Sequence, residues 1–133
     1  MQKTNKRRQG KRGLAAVEMA MLLPIFLLLL MGVMDVARLF WTQGVVRDAA
    51  FEGARIAVLN EATTAQIETE IARKLLRGGL DQAPSIEIGP REPSRPVDVT
   101  VSVPFEFLVI GSMVPQMADE TQVAATAVMT HER

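Results

Sequence analysis

Two hydrophobic patterns follow one another in the first half of the chain. From Gly13 to Met34 (GLAAVEMAMLLPIFLLLLMGVM) apolar positions are nearly continuous, and Glu18 is the only ionisable side chain. That length and apolarity match a helix crossing the ~30 Å hydrocarbon core of a bilayer, which takes about 20 residues. From Asp35 to Leu59 the pattern stays helical but becomes one-sided. At 100° per residue, Leu39, Val46, Ala49, Ala50, Gly53, Ala54 and Ala57 share a face, while Trp41, Asp48, Glu52 and Arg55 lie opposite. The two patterns predict one helix from about Leu14 to about Val58, roughly 65 Å long. Its small-residue stripe would let another helix or sheet approach closely. A bend near Gly44, giving two helices, is the alternative. Phe40 and Trp41 fall where the helix would leave the bilayer, as in an aromatic belt.

Beyond Leu59 the periods change again. Residues 60–64 break the helix, and a second helix is expected over about Ala65 to Arg77. Thr63 and Gln66 stand at capping-box spacing, Ile67, Ile71 and Leu75 form a stripe joined by Ala72 and Leu76, and Gly78-Gly79 ends it. Glu70 and Lys74 form an i,i+4 pair on its solvated face. Ser85 to Ile88 reads as a short strand, and GPREPSRP (89–96) as a loop. From Val97 to Phe107, Val and Phe alternate with polar residues and one proline, the period of a half-buried antiparallel strand. Pro104 implies a sheet edge or the strand's end. Residues 108–119 form an irregular apolar connection, and Thr121 to Met129 a last strand. The expected fold is α+β: a membrane and stalk helix (14–59) after a basic leader (1–13), then a small α+β domain (60–133) with a short helix and a small antiparallel sheet.

Charge gives this architecture a direction. The chain holds 15 basic and 15 acidic residues, but six of the cations (Lys3, Lys6, Arg7, Arg8, Lys11, Arg12) precede Gly13, and no acid occurs before Glu18. By the positive-inside rule this head, expected to be disordered, stays cytoplasmic and the C-terminal domain crosses. The acidic remainder argues against a nucleic-acid partner, which requires clustered Lys and Arg. A secretory signal peptide fits poorly, because the apolar run is too long and lacks a small-x-small cleavage site.

Catalytic inventories come up empty. There is no cysteine, the single histidine, His131, lies near the C-terminus, and no serine has a histidine partner. No catalytic, metal or cofactor site is expected, and no enzyme. Glu18 does demand an account, since a charge inside a bilayer costs about 2.5–3.5 kcal/mol at the helix centre and less near the interface. It either stays in the headgroup zone or meets a cation. If the chain is cut between Gly13 and Leu14, the new α-amine of a neighbouring subunit is such a cation. Pro24 removes its own N–H and frees the carbonyl of Ala20, allowing a kink within the membrane.

The ordered set of a basic head, Gly13, Ala15-Ala16-Val17-Glu18, Leu23-Pro24, Asp35 and Arg38, then Ala49-Ala50-x-Glu52-Gly53-Ala54-Arg55 resembles the TadE-like pseudopilins of the tight-adherence (Flp) pilus and secretion system. The resemblance runs over residues 12–40 and 45–59. Met19 stands where an aromatic is common, Asp35 where Glu is usual, and Phe51 where Arg is frequent. The resemblance implies a bacterial inner-membrane prepilin cut after Gly13 on the cytoplasmic side by a prepilin peptidase. The product would then be a minor component of pilus assembly, with other pilins, pseudopilins and the assembly machinery as partners and Glu18 as the residue used in assembly. An uncleaved single-pass envelope protein with an extracytoplasmic interaction domain is the alternative.

Overall fold

A computed structural model describes residues 7–59, 61–92, 95–114 and 121–130, with side chains from Gly13 onward. Helix α1 spans Arg7–Ala57, 51 residues without interruption through Pro24 or Gly44. It begins earlier than expected, because the Gln, Lys and Arg of this part of the head are good helix formers and continue α1 towards the N-terminus. The basic residues Lys3 and Lys6, and His131, lie outside the described residues.

Helix α2 spans Thr64–Arg77 and starts at the expected capping box. Thr63 Oγ1 accepts from the Gln66 N–H at 3.3 Å, and Gln66 Oε1 accepts from the Thr63 N–H at 2.9 Å. It ends in a Schellman turn, in which Gly79 takes φ +82° and the Leu80 N–H reaches the Leu75 carbonyl. Ile67, Ile71 and Leu75 are buried, whereas Ala72 and Leu76 are exposed, so the buried stripe is narrower than the sequence suggested. Glu70 pairs with Arg73 rather than with Lys74.

Strands β1 (Ser85–Ile88), β2 (Val97–Phe105) and β3 (Thr121–Met129) form an antiparallel sheet in the order β1-β2-β3, with a single helical turn, α3 (Ile110–Met113), between β2 and β3. Pro104 therefore lies in the central strand. The position is still locally an edge: β1 ends at the Ser85–Ser102 pair, and Pro104 pairs only with Gln122 of β3.

The core lies between the sheet and the helices. Val97, Val99, Val101, Val103 and Phe105 of β2 and Val123 and Ala127 of β3 face the stripe Val46, Ala49, Ala50, Ala54 and Ala57 of α1, with the α2 isoleucines alongside. The second half of α1 is thus a wall of the folded body. Its small-residue face is buried as the periodicity required, and Leu39 is half-buried beside it. Among the described residues nothing buries the first half: the apolar window in Gly13–Ala57 is long and apolar enough to cross a membrane and has no buried residue.

Candidate functional site

The conspicuous polar arrangement lies where the bare half of α1 meets the clad half. Asp35 is the first residue after the apolar run, and its side chain is fully buried. Its Oδ1 accepts from the Leu108 N–H at 3.0 Å, and its Oδ2 accepts from the N–H groups of Val109 and Ile110 at 2.8 and 3.1 Å. Three successive backbone donors leading into α3 thus converge on one carboxylate, and the chain leaving β2 is fixed to α1. This capture also explains why β2 ends at Phe105 although the alternation continues to Phe107.

Arg38, one turn along, completes the clamp. Its Nη1 lies 3.6 Å from Asp35 Oδ1 and donates to the Glu106 carbonyl at 3.4 Å, while its guanidinium sits over the Phe105 ring. Phe105 packs edge-on against Phe107 at 5.0 Å. The Asp35 carboxyl titrates below its ordinary range. The Val109 N–H bond does most to lower it, burial opposes, and the Leu108 and Ile110 bonds and the Arg38 charge lower it further.

Farther along α1, Gly53 lies against α2. A Cβ there would stand 2.6 Å from Ile71 Cδ1 and 3.3 Å from Val99 Cγ1, so the crossing needs a residue without a side chain. Its neighbours Glu52 and Arg55 pair at 2.6 Å on the surface. The Arg55 bond draws the Glu52 carboxyl below its ordinary range, and Glu52 raises Arg55 in return. Trp41 is 67% exposed, and its indole N–H donates to the Gly78 carbonyl at the end of α2.

Sequence reasoning missed Arg91. From the loop between β1 and β2, it donates to the carbonyls of Ala57, Leu59 and Ala62 at 3.0, 2.8 and 2.6 Å. It thereby satisfies carbonyls at the end of α1 and places a cation at the negative end of the helix dipole. The one available signal was an arginine in a proline-rich loop after a long helix, and nothing in its spacing names the carbonyls.

The remaining sequence candidates lie apart from this clamp. Gly13 and Leu14 are exposed inside α1, Glu18 is exposed about one turn further on, and Pro24 lies within the bare span. Glu18 stands about 25 Å from Asp35 along the axis, at 1.5 Å per residue. Among the described residues there is no cluster of His, Asp or Glu that could hold a metal ion.

Comparison with protein families reaches this same part of the chain. Residues 13–55 match the model of the TadE-like protein family. This segment is TadE-like. The match starts at Gly13, takes in the bare span and the clamp residues Asp35 and Arg38, and ends at Arg55. Helix α2, Arg91 and the sheet lie beyond it. Neither a curated protein nor a solved structure matches the chain.

Proposed function

We propose that the chain is a pseudopilin-like minor component of tight-adherence (Flp) pilus assembly. In this reading Gly13–Met34 spans the bacterial inner membrane, the basic leader stays cytoplasmic, and the sheet domain stands outside, where it meets other pilins and the assembly machinery. A prepilin peptidase cuts between Gly13 and Leu14, and Glu18 then pairs with the new α-amine of a neighbouring subunit. Pro24 lets the span bend as subunits pack. The role is structural, with no catalysis and no cofactor.

The observation that carries this reading is the TadE-like match over Gly13–Arg55 on a helix whose apolar half the fold leaves bare. Exposure of Glu18 adds support, because a carboxylate without an intramolecular role is available to another subunit. One observation favours the uncleaved alternative: α1 is already helical through the Gly13–Leu14 bond, so cleavage requires that turn to unwind.

Two variants separate cleavage from pairing. Gly13→Leu should leave a full-length precursor on immunoblots in cells with the peptidase. Glu18→Gln should insert and be cut normally yet fail to support pili under the electron microscope. Normal piliation by Glu18→Gln would overturn the pairing role. A wild-type band that does not shift in peptidase-competent cells would leave the protein an uncleaved envelope component.

A further inference from the structure

The loop that Asp35 holds is itself apolar and open. After Glu106, residues 107–114 (FLVIGSMV) contain no charged side chain. Leu108 is 64% exposed and Met113 63%, and Val114 is also exposed. These are large side chains for a loop facing water. Their position is fixed, because the carboxylate that accepts from Leu108, Val109 and Ile110 belongs to the residue directly after the membrane-spanning run. With one helical turn rising 5.4 Å, this backbone is held within about a turn of the level at which α1 enters the bilayer. Val36 and Phe40, on the same stretch of α1, are exposed as well.

We infer that the Phe107–Val114 loop is a second membrane contact, in which Leu108, Met113 and Val114 enter the interfacial layer of the bilayer that α1 spans. The inference rests on the membrane-spanning reading of Gly13–Met34 and adds a surface to it. Lipid is the occupant because the apolar loop continues the apolar surface of the span at its outer end. The Asp35 and Arg38 side chains of the clamp are engaged with the loop backbone and with each other. Burying apolar side chains at the interface gains free energy in proportion to the area covered. A single helix leaves a domain free to rotate about its axis and to tilt, and a second contact beside it fixes both. The sheet would then present a constant face to neighbouring subunits.

The sequence has no cysteine, so single cysteines carrying an environment-sensitive fluorophore can be placed at Leu108, Met113, Glu87 on the exposed face of β1, and Leu28 within the span. The full chain is reconstituted into phosphatidylcholine–phosphatidylglycerol vesicles containing nitroxide lipids, with the nitroxide either near the headgroup or deep in the acyl chain. The Leu108→Cys and Met113→Cys probes should each lose about half of their emission to the shallow nitroxide, as expected for interfacial depth, while Glu87→Cys stays unquenched. Both loop positions are exposed, so either substitution leaves the core intact, and unchanged circular dichroism checks this. Deep-nitroxide quenching of Leu28→Cys reports the span independently. If Leu28→Cys is quenched and both loop probes match Glu87→Cys, the loop contact is wrong and the span stands. Loop probes that are blue-shifted but not quenched would show that protein, such as a second copy, covers the loop, which also overturns the inference. An unquenched Leu28→Cys removes the span and the loop contact together.

Discussion

The two halves of α1 are one continuous helix with opposite rules for what is buried. Before Asp35, the leucines from Leu14 to Leu30 are 45–63% exposed. After it, Val46, Ala49, Ala50 and Ala54 are inaccessible. The greasier half is bare and the half with smaller side chains is covered. Lipid rewards apolar area whatever its shape, whereas a sheet and a second helix packed to interior density reward a close fit. Hydrophobicity alone would therefore place the core in the wrong half, and residue size corrects it. The change of regime falls at Asp35, the first residue after the apolar run, whose charge is satisfied by three N–H groups and Arg38.

Truncations of similar size in the two halves should break the symmetry most plainly. Ile71→Ala, which opens a cavity against the clad half, should lower unfolding stability by about 2–5 kcal/mol. Leu28→Ala in the bare half should leave the denaturation midpoint of the folded body unchanged, as read by circular dichroism in detergent. Equal losses would mean that the bare half also packs against the body. A smaller effect is expected at the helix crossing. Gly53→Ala should cost about 1–3 kcal/mol by overpacking against the wholly buried Ile71, whereas alanine at Gly32, where nothing lies within 4 Å, should not destabilise the body. Smaller again, Arg91→Ala should cost about 1–2 kcal/mol. It should raise amide exchange selectively near Ala54–Val58 and leave the span unaffected.

The subtlest effect is a pH dependence at the boundary. Asp35 titrates below its unfolded value of 3.8. The stability its ionised form contributes is therefore fully present above 3.8 and is lost as pH falls through the folded value. The difference in melting temperature between the wild type and Asp35→Asn should be constant near neutrality and close only in acid below 3.8. A difference that closes near neutral pH would show that the clamp is not made by the ionised carboxylate.

Much of this was legible because local periods report local surroundings. The buried stripe of the second half of α1, the capping box of α2 and the strands at 85–88 and 121–129 all lie where spacing placed them. What spacing could not supply were partners distant in sequence. Asp35 was legible as an acid at the end of the span, but its donors are more than seventy residues away. Arg91 gave no periodic signal because it acts singly, across a loop. Ala72 and Leu76 misled because α2 touches α1 along one narrow line, and a helical wheel shows which residues share a face without showing how wide the partner is. The Gly13, Glu18 and Pro24 readings came from the family pattern and the chemistry of the bilayer, since the fold places no neighbour beside them.

Spin labels placed one at a time at exposed positions along α1, in the full chain reconstituted in lipid vesicles, test the division of this helix most directly. Leu22, Leu28 and Val33 sample the bare half, and Arg47, Asp48 and Arg55 the outer surface of the clad half. Collision with oxygen, which concentrates in lipid, should dominate through Val33, and collision with a water-soluble nickel chelate should dominate from Arg47 onward. Nickel access at Leu22 and Leu28 equal to that at Asp48 would contradict a helix divided between lipid and protein.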